Sequence, residues 1–196
     1  MSVTGIILAG GKSARLGRDK AMLPINGNSF IGHIADQLRL IADEIIVVSN
    51  QPEKYALPNT REVQDIFPGK GPLAGIHAGL TAASNEYSFV MACDMPSFHP
   101  RAVAFLFSQS TGYDVTVPQI GQYLEPLFAV YHKNALPLIT DALSQGIYKV
   151  TDFYPKAKIN YVTEEHFLRE CSFEECFFNV NTPDDYVKLS QKEKGA

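Results

Sequence analysis

Apolar positions along the chain come in two kinds of run. Val3 to Leu8 is a short, largely apolar stretch, the pattern of a buried strand, and it leads directly into a glycine-rich loop. Phe30, Ile31, Ile34, Leu38 and Ile41 then repeat at helical spacing behind Ser29, a suitable N-cap. Ile45 to Val48 and Phe89 to Cys93 predict further strands, as do Val115 to Val117 and Leu127 to Tyr131. Pro72 to Ala83 reads as a helix with proline in its first turn, and Asn134 to Leu143 as another. Thr182-Pro183-Asp184-Asp185 opens a last helix: Thr182 caps it, Pro183 takes the first position, and Asp185 can reach back to the cap. The tail from Gln191 to Ala196 is expected to fray.

Strands alternating with helices predict a parallel sheet covered on both faces. The expectation is therefore a single three-layer α/β domain, Rossmann-like, over residues 1–196. The late strands near Leu127 and Ile159 lack clean crossover helices, so one of them is expected to run antiparallel.

Composition narrows the function. A chain of 196 residues with 45% hydrophobic and 19% charged residues can build a sizeable core. Its net charge of −4 argues against a general nucleic-acid binder, which needs a basic face. No apolar run approaches the roughly 20 residues of a membrane span. The N-terminus, Met1-Ser2-Val3-Thr4, lacks a signal peptide's basic region, so a cytoplasmic location is expected. The three cysteines, Cys93, Cys171 and Cys176, are an odd number, and no disulfide framework is expected of them.

The loop after the first strand reads Leu8-Ala9-Gly10-Gly11-Lys12-Ser13-Ala14-Arg15-Leu16-Gly17-Arg18-Asp19-Lys20. Glycines let backbone N–H groups approach an anion closely. Lys12, Arg15, Arg18 and Lys20 put four cations within nine residues of an acidic protein. Together they predict a polyphosphate site. Neither common phosphate motif fits. A P-loop ending at Gly11-Lys12-Ser13 would need its first glycine at Ile6, inside the strand; a dinucleotide fingerprint fails because Gly10 and Gly11 are adjacent.

A second feature is Phe89-Val90-Met91-Ala92-Cys93-Asp94-Met95-Pro96. In open α/β sheets, ligands sit outside the carboxyl ends of the strands, where this sequence puts Asp94. A hard carboxylate beside a polyphosphate loop suits Mg²⁺, making Asp94 the candidate metal ligand. The five histidines, His33, His77, His99, His132 and His166, show no catalytic or metal-ligand spacing.

These residues resemble the nucleotidyltransferases of molybdenum cofactor maturation, the molybdenum cofactor guanylyltransferases in particular. The opening loop is shared with the wider nucleotidyltransferase superfamily. Gly71-Pro72-Leu73-Ala74-Gly75-Ile76, Cys93-Asp94-Met95-Pro96, Pro126-Leu127-Phe128-Ala129-Val130-Tyr131 and Asn179-Val180-Asn181-Thr182-Pro183 narrow the match, in order and over nearly the whole chain.

The resemblance implies transfer of GMP from GTP to the terminal phosphate of molybdopterin, with Mg²⁺ as cofactor and pyrophosphate released. It implies that Leu8, Ala9, Gly10, Gly11, Lys20, Asn50, Asp65 and Asp94 bind the nucleotide and that Arg15 and Asp94 are catalytic. Asn179 and Asn181 would lie on the acceptor side, where Lys149 could hold the pterin phosphate. On this view residues 1–100, approximately, bind GTP and 101–196 bind the acceptor. A monomer is expected, with other cofactor-maturation proteins and recipient apoenzymes as partners. The chemistry is consistent: a phosphate monoester is already ionised near neutral pH and needs no general base, only charge screening and in-line alignment.

Other readings remain open at this point. One is a cytidylyltransferase for molybdopterin, another a sugar-phosphate nucleotidyltransferase. A non-catalytic GTP-binding regulatory module and an inert α/β scaffold belong to other classes. Turnover with GTP, CTP, ATP and UTP separates the first two; nucleotide binding without turnover, or no binding, marks the others.

Overall fold

A computed structural model describes residues 2–10, 19–25, 27–51, 53–96, 98–167, 169, 176–180 and 182–194. Strand β1 (Val3–Leu8) pairs in parallel with β4 (Glu44–Ser49) on one side and β6 (Tyr87–Ala92) on the other. Beyond β4 lies β5 (Arg61–Gln64), also parallel. Beyond β6 lies β9 (Phe128–His132), antiparallel to β6 and to its other neighbour, β7 (Val115–Ile120). The edge strand β10 (Ile159–Thr163) is parallel to β7, which also forms a short hairpin with β8 (Tyr123–Leu124). The sheet order is β10-β7-β9-β6-β1-β4-β5. The antiparallel strand expected late in the chain is thus β9, near Leu127, while the strand near Ile159 is parallel. A separate two-stranded ribbon joins β2 (Pro24–Ile25) to β3 (Asn28–Ser29).

The period of two along each strand divides the core between the faces of the sheet. Val3 and Ile7 of β1, Ile45 and Val47 of β4, and Phe89 and Met91 of β6 point to one face. Helices α1 (Phe30–Leu38) and α3 (Pro100–Ser108) and the short α5 (Glu164–Phe167) cover it. Ile6, Leu8, Ile46, Val48 and Val90 point to the other, under α2 (Pro72–Ala82), α4 (Ala135–Ser144) and a 3₁₀ segment, Val150–Lys156. This is the three-layer α/β arrangement with a mainly parallel sheet. The last helix, α6 (Pro183–Lys194), packs through Leu189 onto Ile25, Phe30 and Val180. Among the described residues no helix is long and apolar enough to cross a membrane.

Helix ends follow local chemistry. The Ser29 hydroxyl accepts from Gly32 N–H at 3.2 Å, the cap expected for α1. Thr182 and Asp185 cap α6 reciprocally: Asp185 N–H donates to the Thr182 hydroxyl at 3.2 Å, and Thr182 N–H to the Asp185 carboxylate at 2.9 Å. Helix α6 continues past Gln191 to Lys194. One expectation needs correction: Cys176 is disulfide-bonded, whereas Cys93 is a free thiol. Cys176 is fully buried beside Phe177.

Candidate active site

The carboxyl ends of β1, β4, β5 and β6 open onto one pocket of about 560 Å³. Three backbone hydrogen bonds carry the strand ladders into its floor: Ala9 N–H to Val48 O at 2.9 Å, Cys93 N–H to Leu8 O at 3.2 Å and Ala92 N–H to Leu127 O at 3.2 Å. Leu8, Ala9 and Gly10 come from the end of β1, Asn50 follows β4, Asp65 follows β5, and Cys93 and Asp94 follow β6. The N-terminus of α2 forms another wall through Gly71, Pro72 and Gly75. A helix N-terminus carries partial positive charge, suited to an anion.

At two of these positions a glycine lies close against a neighbouring side chain. A Cβ on Gly10 would come within 3.3 Å of the Asn50 side chain, and one on Gly75 within 3.2 Å of Leu8 Cδ2. Gly71 has φ 79°, the left-handed conformation that turns the chain into α2.

Opposite charges face one another in the pocket. Lys20 opens a 3₁₀ turn, Lys20–Met22, whose N-cap is Asp19. Burial pushes the Asp94 carboxyl above its ordinary pKa, and the Lys20 ammonium partly offsets this. Glu125, at the turn between β8 and β9, is likewise pushed up, by burial and then by the charge of Asp94. Burial, with Asp94 and Asp19 adding to it, raises the Cys93 thiol to about 12. Cys93 therefore stays protonated and is no nucleophile at neutral pH. The Asp65 carboxylate accepts from Phe67 N–H at 2.8 Å, which fixes it on the wall.

A polar cluster supports the pocket from β4 and β5. The Glu62 carboxylate accepts from the Ser49 hydroxyl at 2.6 Å and from Lys54 and Tyr55 N–H, both at 3.1 Å. Burial pushes Glu62 up, but the bonds from Ser49, Tyr55, Ala56 and Lys54 outweigh it and hold its pKa below 4.5. The buried Tyr55 hydroxyl lies 2.9 Å from Ala9 O and 3.1 Å from Asp19 Oδ2.

Of the residues expected from the sequence, Leu8, Ala9, Gly10, Lys20, Asn50, Asp65 and Asp94 line this pocket. Asn179 is exposed and adjoins it, since Val180 N–H donates to Asp94 O at 2.9 Å. Lys149 is not a lining residue. Its side chain is 74% exposed and pairs with Asp152 at 3.7 Å. Gly11, Arg15 and Asn181 lie outside the described residues. Sequence reading passed over Tyr55 and Glu125. Neither belongs to a glycine- or charge-rich motif, and only the fold brings Tyr55 onto Ala9 and Asp19 and Glu125 within reach of the Asp94 charge, behind the residues that line the pocket.

Residues 5–158 match the family described as the MobA-like NTP transferase domain. The "Probable molybdenum cofactor guanylyltransferase" of Pelotomaculum thermopropionicum is 43% identical over 188 residues, 96% of this chain and 92% of that protein. The molybdenum cofactor guanylyltransferase of Syntrophotalea carbinolica is 33% identical over 194 residues, 98% of this chain and 92% of that one. Among solved structures, molybdopterin-guanine dinucleotide biosynthesis protein A of Archaeoglobus fulgidus superposes with a TM-score of 0.84 at 25% identity, covering 98% of this chain and 100% of that one. The chain belongs to the MobA-like NTP transferase family and is a nucleotidyltransferase.

Proposed function

We propose that this nucleotidyltransferase moves GMP from GTP to the terminal phosphate of molybdopterin, giving a guanine dinucleotide form of the cofactor and pyrophosphate. The observation that carries the reading is the meeting of Lys20 and Asp94, far apart in sequence, in one pocket beside an α-helix N-terminus. A cation, backbone donors and a carboxylate at that edge suit a nucleoside triphosphate. The choice of guanine and of the pterin acceptor rests on the names of the relatives.

The acceptor phosphate is the nucleophile. An oxygen lone pair forms a bond to the α-phosphorus while the bond from that phosphorus to the bridging oxygen of the β-phosphate breaks. Pyrophosphate leaves with the electron pair. No proton need be removed first, because a phosphate monoester is largely ionised at pH 7. Lys20 screens triphosphate charge, and the backbone at Ala9 and Gly10 and the N-terminus of α2 hold phosphate oxygens. Asn50 and Asp65 face the nucleoside. Arg15 and Gly11 complete the loop, with Arg15 on the reacting phosphates. Asn179 and Asn181 orient the acceptor.

Asp94 fits Mg²⁺. It is a hard oxygen donor on the pocket wall, and burial disfavours its ionised form until a cation balances it. Mg²⁺ keeps several waters and needs only one or two protein carboxylates beside substrate phosphates, so Asp94 could hold it without a dedicated cage. When bound, Mg²⁺ would neutralise charge on the phosphates. With that acceptor, the proposal extends to a cytoplasmic maturation enzyme that would act as a monomer, upstream of the apoenzymes that receive the cofactor.

Pyrophosphate release tests this directly, measured with GTP, CTP, ATP and UTP, with and without molybdopterin and Mg²⁺. Release that needs GTP, molybdopterin and Mg²⁺ together is expected. Preference for CTP would reassign the nucleotide, and GTP binding without any release would remove the transferase reaction.

A further inference from the structure

Tyr55 is a buried phenol on an irregular segment between β4 and β5, outside every glycine-rich motif. Its single O–H proton is shared, as a three-centre hydrogen bond, between two acceptors that are distant along the chain. One is the carbonyl oxygen of Ala9, at 2.9 Å, where β1 has just ended. The other is Oδ2 of Asp19, at 3.1 Å, where the chain re-enters regular structure. The nine residues between them, 10–18, carry both adjacent glycines and three of the four cations.

Asp19 uses its two carboxylate oxygens differently. Oδ1 accepts from Ala21 N–H at 3.1 Å and so caps the 3₁₀ turn that begins with Lys20. Oδ2 receives the Tyr55 hydroxyl and the Lys54 ammonium. The phenol therefore touches the residue that sets the direction of Lys20.

Tyr55 is itself held by an unusual backbone. Glu53 and Ala56 on either side have φ 51° and 45°, a conformation that L-residues seldom adopt. The Glu62 carboxylate bridges this segment through Lys54 and Tyr55 N–H, and ties it to Ser49 at the end of β4. A left-handed residue persists only where surrounding structure over-determines it. Here what is over-determined is the place of one hydroxyl. Burial, followed by the charge of Asp19, drives the phenol pKa far upward, so the hydroxyl remains a proton donor at any ordinary pH.

We propose that Tyr55 is a positioning residue of the nucleotide site: its hydroxyl joins the two ends of the glycine-rich loop at Ala9 and Asp19, and through Asp19 sets the turn that presents Lys20 to the triphosphate. The inference rests on the reading of this pocket as a nucleoside triphosphate site. Tyr55 does not line the pocket and is given no contact with substrate.

Tyr55→Phe removes the hydroxyl and keeps the ring. The expected result is a rise of about tenfold in the Kd of GTP by titration and a matching rise in its KM, the worth of one hydrogen bond to a charged group. The KM for the acceptor stays within about twofold. Loss of folded protein lowers kcat but leaves KM unchanged, so the KM shift separates positioning from simple damage. Asp19→Asn, which weakens the same contact from the other side, completes a double-mutant cycle. The double variant should bind GTP no more weakly than Asp19→Asn alone. If Tyr55→Phe binds GTP as the parent does, or if the two effects multiply, the proposal is overturned. A parent chain that binds no nucleoside triphosphate would instead overturn the nucleotide-site reading, and this inference with it. Should Tyr55→Phe not fold, Asp19→Asn alone decides: an unchanged KM for GTP refutes the link.

Discussion

Gly10→Ala separates the needs of the fold from the needs of the pocket. Gly10 sits at the end of β1 with φ outside the left-handed region, so alanine meets no backbone strain there. Among the described residues, the atoms nearest a new Cβ belong to the Asn50 side chain, with Oδ1 at 3.3 Å and Nδ2 at 3.4 Å. Asn50 is exposed and can move by a few tenths of an ångström. Replacing glycine also restricts the unfolded chain, a gain of about 0.4–1 kcal/mol that offsets the shift of Asn50. Stability should therefore change by less than about 1 kcal/mol. Binding is another matter, because the methyl group occupies space on the pocket floor where a phosphate would approach the Gly10 N–H. Losing one hydrogen bond to a charged group costs about 1.5–3 kcal/mol, or roughly 10- to 150-fold in affinity. Thermal melting and calorimetric titration with GTP read the two quantities on one sample. An unchanged Tm with affinity within threefold of the parent would show that the nucleotide does not approach Gly10, and the assignment of the loop would be wrong.

Asp94→Ala should lower turnover by roughly two to four orders of magnitude through lost electrostatic stabilisation. It should leave Tm unchanged or raised in metal-free protein, because the ionised carboxylate is disfavoured by burial; near-normal turnover would remove Asp94 from the mechanism. Glu62 has a folded pKa below its ordinary 4.5, so its contribution to stability is complete above that value and is lost as pH falls through the folded pKa. Urea midpoints from pH 6 downward should accordingly fall more steeply in the parent than in Glu62→Gln. Gly79→Ala places a Cβ 2.6 Å from Ile6 Cγ2 in the fully buried centre of β1. Overpacking of about 1–3 kcal/mol outweighs the roughly 1 kcal/mol gain in helix propensity, and Tm should drop by a few degrees.

Much of this architecture is legible in the sequence because burial and periodicity agree. Val3 to Leu8 and Ile45 to Val48 read as buried strands, and both are interior strands of the sheet, β1 between β6 and β4 and β4 between β1 and β5. Asp94 could be put at a strand's carboxyl end because Cys93 ends an apolar run and Pro96 prevents its extension. Less visible were elements whose signal is short or mixed. β5, Arg61-Glu62-Val63-Gln64, carries one apolar residue and lies at the sheet edge. α3 begins at Pro100, behind a His99 side chain that caps it by accepting from Arg101 N–H at 3.2 Å, a role in which histidine is easily overlooked. Tyr55 and Glu125 lie beyond sequence reasoning for a different reason. Their importance comes from what β4, β5, β8 and β9 bring beside β1 and β6, and neither carries a local pattern. Lys149, placed on the acceptor side by the resemblance, is exposed beside Asp152 and outside the pocket that the nucleotide residues line.

The central claim is nucleotidyl transfer from GTP to a pterin phosphate in the pocket that joins Lys20 and Asp94. Isotope partition tests it most directly. GTP labelled on the α-phosphate and GTP labelled on the γ-phosphate are each incubated with the chain, molybdopterin and Mg²⁺, and the products are separated. The account predicts α-label in a pterin dinucleotide and γ-label in pyrophosphate, in equal amounts, with both lost in Asp94→Ala. Label from the γ-position in the pterin product, or free inorganic phosphate in place of pyrophosphate, would contradict it.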